Sequence, residues 1–217
     1  MEIFTIDYET TGLNPYSSGI IEVAIKKMGI ETYYNDFIKP VRKYGPYKYV
    51  PPHIVDITNI TDEMIEEKGI DVNVATEKMI SYMLENASMS DEPIYMLAHN
   101  GDVFDFLIFK RMILGRYPKL TRQICNLMKR IVFVDTLLVA KMFMKEDRVN
   151  QKRLCQIHNI INEAPHRAYG DVLSLEKLFP KLCLHYSYSK GHSYNYYLEH
   201  LDELHKEIHY LKFEIDD

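Results

Sequence analysis

Apolar residues change their period along the chain, and the change separates strands from helices. Ile3-Phe4-Thr5-Ile6 within residues 1–7 and Gly19-Ile20-Ile21-Glu22-Val23-Ala24-Ile25 read as two strands. Residues 31–38, with alternating aromatics, read as a third, and the short connections predict an antiparallel meander. Residues 40–60 read as a long loop carrying Pro40, Pro46, Pro51 and Pro52. From there the helical period takes over. Thr61-Asp62-Glu63-Met64 opens a short helix with a hydroxyl cap and acids in its first turn, and a longer helix is expected from Val72 to Asn86. Ile94-Tyr95-Met96-Leu97-Ala98 is a continuous apolar block, as in a strand buried on both faces. Helices at 102–115 and 119–129, a strand at 131–134, and helices from Asp135 to Met144, at 150–160 and at 166–179 follow. Three meander strands and then alternating helix and strand predict an α/β domain, a mixed sheet covered by helices, over residues 1–180.

Beyond Pro180 the pattern differs. Residues 185–196, rich in Tyr, Ser and His, read as a loop. Tyr194, Tyr197, Leu201, Leu204, Ile208, Leu211 and Ile215 then alternate spacings of three and four, an a/d seam. Such a seam serves either a terminal helix docked on the body or a helix that joins a second copy or another protein.

Composition adds three constraints. No apolar run approaches the roughly 20 residues needed to span a bilayer, and Glu2, Asp7 and Glu9 interrupt any signal-peptide pattern. Cys125, Cys155 and Cys183 are widely spaced and form no CxxC, so a reduced intracellular compartment, cytoplasmic or nuclear, is expected and a cysteine zinc site is not. The net charge of -5 hides an asymmetry: residues 110–153 carry 12 Lys and Arg against Asp135, Glu146 and Asp147. That excess suits a phosphate-binding face, or simply solvates helix surfaces. Tyr44, Tyr47 and Tyr49, interleaved with Lys43 and Lys48, equally suit stacking on unpaired bases or packing the loop onto the body.

The chemistry concentrates in a few acids. Asp7 and Glu9 lie two apart at a strand end and share a face, ahead of the turn-forming Thr10-Thr11-Gly12-Leu13-Asn14-Pro15. Two such carboxylates repel unless a cation lies between them, and all-oxygen ligands favour Mg²⁺ or Mn²⁺; alone, the pair also fits two solvated acids. Asn100 ends the central strand, and Asp105 follows among Phe104, Leu107 and Ile108, where a carboxylate needs a partner. His166-Arg167-Ala168-Tyr169-Gly170-Asp171 opens a further apolar-periodic helix.

Together these segments resemble the three motifs of the DEDDh-type 3′–5′ exonucleases: Asp7-Tyr8-Glu9-Thr10-Thr11-Gly12, Asn100 with Phe104-Asp105, and His166-x-Ala168-x-x-Asp171. Ile57-Thr58-Asn59-Ile60-Thr61 is similar to a family segment with Asn59 in place of a common glycine, and Val134-Asp135-Thr136-Leu137 to a strand ending in Asp-Thr. The resemblance covers residues 3–180. It implies an RNase H-like fold with a five-stranded mixed sheet flanked by helices. It implies two Mg²⁺ or Mn²⁺ ions held by Asp7, Glu9, Asp105 and Asp171, with Asp7 between them and His166 as general base. Thr10, Thr11, Gly12 and Leu13, supported by Asn100 and Phe104, would line the pocket for the 3′-terminal nucleotide. The implied substrate is a nucleic acid with a free 3′ end, single-stranded DNA favoured and RNA open. The tail at 181–217 would dock on the body, form a homodimer or bind a separate polymerase. Tyr8 is expected in the core, and His53, His99 and Asp135 outside the site.

Overall fold

A computed structural model of the chain describes residues 1–41, 49–116, 121–144 and 149–208. Strands β1 (Glu2–Thr10), β2 (Ile20–Lys27) and β3 (Tyr34–Phe37) form the meander, and β4 (Ile94–Ala98) and β5 (Ile131–Asp135) complete one five-stranded sheet in the order β3-β2-β1-β4-β5. β1 pairs antiparallel with β2 and parallel with β4, and β4 pairs parallel with β5, so the sheet is mixed. β1 is therefore central, and its C-terminal end opens beside that of β4.

Helices cover both faces. On one, Phe4, Ile6 and Tyr8 of β1 pack with Met79 and Met83 of α3 (Val72–Asn86), with Phe106 and Phe109 of α4 (Asp105–Arg116) and with Leu127 of α5 (Arg122–Lys129). On the other, Ile3, Leu97 and Val134 pack with Val139 of α6 (Thr136–Phe143), Leu154 of α7 (Gln151–Ile157) and Leu175, Leu178 and Phe179 of α8 (Ala168–Ser189). The alternation of β1 carries the design to its end: Tyr8 is buried between part-buried Asp7 and Glu9, which share the α8 face.

Several expectations change. Residues 52–58 form helix α1 (Pro52–Thr58) inside the stretch read as loop, because a proline at the first helical position costs no hydrogen bond. Asn59 ends α1 at φ 56, the left-handed region that asparagine tolerates, which accounts for asparagine where the family commonly has glycine. α2 (Asp62–Lys68) follows, with the Thr61 hydroxyl accepting from Met64 N as expected. β3 is shorter than residues 31–38, since the chain is still turning at Gly29 and pairs with β2 only over Tyr34–Phe37. The loop tyrosines Tyr44 and Tyr47, with Lys43 and Lys48, lie outside the described residues; Tyr49 is described, and its hydroxyl donates to Glu66.

The largest change concerns the end of the body. α8 passes through Pro180 and continues to Ser189, so residues 185–189 are helix rather than loop. Leu182, Cys183, Tyr186 and Ser187 extend its buried stripe, and that packing holds the helix together across the hydrogen bond a proline cannot make. The seam residues form two short helices, α9 (Tyr196–Glu199) and α10 (Leu201–Glu207), where one heptad helix was expected. Tyr197, Leu201, Leu204 and Ile208 are buried against the α8 side of the core, whereas Tyr194 is exposed. Leu211 and Ile215 lie outside the described residues. Glu207 fastens the tail, accepting from Tyr186 Oη at 2.6 Å, Tyr197 Oη at 2.5 Å and Lys190 Nζ at 2.9 Å. These donors hold its carboxyl down at about 2, against the burial that opposes them. Among the described residues, no helix is long and apolar enough to cross a membrane.

Candidate active site

Carboxylates from β1 and α8 meet at the end of β1. Asp7 and Glu9 of β1 and Asp171 of α8 place carboxylate oxygens within 4.8 Å of one another. Small residues let the helix come this close: Ala24 of β2, opposite Asp7 in the ladder, packs on Ala168 and Val172 of α8. Gly170 lets the preceding loop lie against the helix, since a Cβ there would fall 2.1 Å from the Ala164 carbonyl oxygen. Asp105, 3% exposed at the start of α4, lies outside that converging group; it comes from the opposite layer and accepts from Tyr8 N at 3.2 Å.

Crowding perturbs every one of these acids. Asp7 is pushed well up, first by burial and then by the charges of Asp105, Asp171 and Glu9. Burial, followed by Asp171 and Glu22, raises Glu9 to about 8. Burial raises Asp105 to about 8 despite the Tyr8 N–H, with Asp135 and Asp171 adding to the rise. Asp171 reaches about 6, because His166, Asn162 and the His166 N–H partly offset its burial. A dense all-carboxylate group held against its own repulsion fits hard divalent cations, which supply the missing positive charge through oxygen ligands.

The loop before α8 orients Asp171. Asn162 Nδ2 donates to Asp171 Oδ1 at 2.7 Å, and His166 N donates to Asp171 Oδ2 at 3.1 Å. Gln151 Nε2 of α7 donates to the Asp171 carbonyl at 2.7 Å. His166 has φ 60 and an exposed side chain, beside the acids rather than among them.

The turn after β1 is braced from within. Thr10 Oγ1 donates to the Gly12 carbonyl at 2.6 Å, and the Thr11 hydroxyl accepts from Gly19 N at 2.9 Å. The Thr11 N–H is also committed, to the Gly19 carbonyl, so both threonines hold the turn. Leu13 at its tip is 91% exposed. Asn100 is exposed at φ 68, and Phe104 is part-buried against the core. Leu13 and Asn14 share an open cleft with Asp102, Val103 and Leu107.

The residues set aside keep structural places. His99 has both ring nitrogens in hydrogen bonds, to Thr136 Oγ1 and the Val149 carbonyl, and burial lowers its pKa. Asp135 caps α6 through Leu137 N and accepts from Asn100 N and Asp102 N. His53 is exposed on α1. Sequence reading passed over Asn162, Arg167 and Glu22. Only Glu22 leaves a signal in the sequence, a charge inside the apolar run of β2.

The sequence model of the RNase T exonuclease family matches residues 4–179. Exonuclease DPD1, chloroplastic/mitochondrial, of Arabidopsis thaliana is 25% identical over 202 residues, 85% of this chain and 57% of that protein. The PolC-type DNA polymerase III of Thermotoga petrophila is 30% identical over 177 residues, 80% of this chain but 11% of the polymerase. Among solved structures, Escherichia coli exonuclease I in complex with a dT13 oligonucleotide matches at a TM-score of 0.70 and 18% identity, over 94% of this chain and 45% of exonuclease I, a likeness of fold. The chain thus spans about half the length of DPD1 and exonuclease I, at 57% and 45%. With a match over residues 4–179, three DEDD-type motifs in order and a five-stranded mixed sheet between helical layers, the chain belongs to the DEDDh-type branch of the RNase T exonuclease family.

Proposed function

We propose that this protein is a divalent-metal-dependent 3′–5′ exonuclease that releases nucleoside 5′-monophosphates from single-stranded or frayed ends. The observation that carries the reading is the carboxylate group of Asp7, Glu9 and Asp171, within 4.8 Å of one another, with buried Asp105 beside it. Asp7, Glu9, Asp105 and Asp171 would hold two Mg²⁺ or Mn²⁺ ions. When bound, such ions lower the pKa of a water and offset the charge that develops on the leaving 3′-oxygen.

The chain's own residues supply the rest. His166, beside Asp171 and open to solvent, takes the proton from the attacking water, a role the imidazole ring nitrogens can fill. Asn162 and the His166 N–H hold Asp171 in one orientation, so the acid does not reorganise during the reaction. Leu13, exposed at the tip of a braced turn, would wedge against the terminal base, with Asn100 and Phe104 in supporting roles. Recognition of this kind reads an end rather than a sequence.

DNA is the favoured polymer, because the exonuclease I structures of the same fold hold dT13 and dA16 oligonucleotides. A second reading, a proofreading partner of a separate polymerase, draws on the 30% identity to a PolC-type polymerase. The burial of Tyr197, Leu201, Leu204 and Ile208 within the chain favours a docked tail over a dimer through that seam.

The test compares linear single strands bearing a free or an inverted 3′ terminus with a circular strand, and identifies products by chromatography. Release of 5′-monophosphates from the free 3′ end alone is expected. Equal loss of the circular or 3′-blocked strand would overturn the reading.

A further inference from the structure

Glu22 stands directly opposite Glu9 in the β1–β2 ladder, on the face of the acid group, and is fully buried. Like charges facing each other across a ladder destabilise it unless something intervenes. Here every position on the Glu22 carboxylate is filled. Oε1 accepts from Arg167 Nη2 at 2.9 Å and Asn35 Nδ2 at 3.1 Å, and Oε2 from Arg167 Nε at 3.0 Å and Ala168 N at 3.0 Å. A carboxylate with four donors has nothing left for a cation, and Glu22 is absent from the group of acids whose oxygens converge.

Apart from Asn35, its donors come from the two residues that follow His166. The Arg167 guanidinium meets the carboxylate edge-on in the two-bond fork peculiar to arginine, and its centre lies 5.0 Å from the Phe37 ring and 5.4 Å from the Tyr169 ring. The Ala168 N–H, left without an intrahelical partner at the start of α8, is satisfied as well. On the other side, the His166 N–H is held by Asp171. His166 sits at φ 60, a left-handed conformation uncommon for a non-glycine residue, between two anchored neighbours.

We propose that Glu22 is a positioning residue which, through Arg167 and Ala168, sets the place of the His166 imidazole relative to the acids. The proposal rests on the reading of His166 as general base. Displacements of about 1 Å in a reacting group can cost 100-fold in rate, so the latch should be visible in turnover rather than in substrate affinity.

The test is a double-mutant cycle on the full chain, with a single-stranded DNA substrate and Mg²⁺, using Glu22→Gln, His166→Ala and the pair. Arg167→Lys serves as a second probe, since it keeps the charge, loses the fork and places less demand on folding than a change at a fully buried acid. Thermal melts confirm folding, and Mn²⁺ titration followed by melting temperature reports metal binding. Expected are a 10- to 100-fold fall in kcat for Glu22→Gln and Arg167→Lys, KM within about twofold, unchanged Mn²⁺ response, and less than about threefold further loss when Glu22→Gln is added to His166→Ala. If Glu22→Gln does not fold, Arg167→Lys combined with His166→Ala decides by the same criteria. Wild-type kcat in folded Arg167→Lys, or an equal penalty with and without His166, would overturn the positioning role while leaving the base in place. Wild-type kcat in His166→Ala would overturn the base reading itself, and the positioning role with it.

Discussion

Asp7→Asn removes one charge from the acid group with little change of shape, and its effects on stability and activity should have opposite signs. Carboxylate oxygens of Asp7, Glu9 and Asp171 lie within 4.8 Å of one another. At that separation a pair of like charges repels by about 3 kcal/mol for an effective dielectric constant near 20. Proton uptake limits the strain that accumulates. Protonating a carboxyl of ordinary pKa near 4 at pH 7 costs about 4 kcal/mol, and beyond that the group neutralises instead. Because Asp7 and Glu9 are only part-buried, solvent screening reduces the relief expected from Asp7→Asn to about 2 kcal/mol. For a chain of this length that is a rise in Tm of about 4–8 °C in EDTA. Divalent metal should reverse the ranking, stabilising the wild type more than the variant by mass action on the folded state. Urea and thermal unfolding with EDTA, Mg²⁺ and Mn²⁺ measure both effects. A variant less stable than wild type in EDTA, with an undiminished response to metal, would refute the reasoning.

The same acids predict an unusual pH dependence. Glu9 and Asp105 at about 8 and Asp171 at about 6 hold protons in the folded state that the unfolded chain has released. Stability in EDTA should therefore fall as pH rises from the ordinary carboxylate range to about 8, and saturating Mg²⁺ should suppress the fall; urea midpoints across pH 5 to 8.5 would show it. Leu204→Ala empties a fully buried position where α10 meets the α8 side of the core, and should cost about 2–5 kcal/mol in urea unfolding. A loss below about 1 kcal/mol would mean that the tail is not part of the body. Asn162→Ala releases Asp171 Oδ1 and should lower kcat without changing the melting temperature by more than a few degrees; unaltered turnover would remove Asn162 from the site.

The strands and acids were legible in the sequence for the same reason: both depend on spacing. Alternation along β1 places Asp7 and Glu9 on one face whatever the rest of the chain does, and the apolar block at Ile94–Ala98 can hardly be anything but a central strand. Proline misled twice. Pro52 starts a helix and Pro180 lies within one, and in each case the outcome depends on which hydrogen bond is missing and what packs nearby, information that composition does not hold. The support of the site was less legible still. Glu22 and Arg167 are 145 residues apart in sequence, and neither has a visible role until the sheet and α8 are assembled. Asn162 likewise looks like an ordinary loop asparagine until Gly170 lets its loop approach the helix.

The most direct test of the central claim is a gel assay on 5′-labelled single-stranded DNA and RNA of one sequence, with Mg²⁺, Mn²⁺ or EDTA, and Asp7→Ala alongside. The account predicts a metal-dependent ladder that shortens from the 3′ end, absent in EDTA and in Asp7→Ala, with DNA degraded faster than RNA. Folded protein that degrades neither polymer with either metal, or that shortens them equally in EDTA, would contradict it.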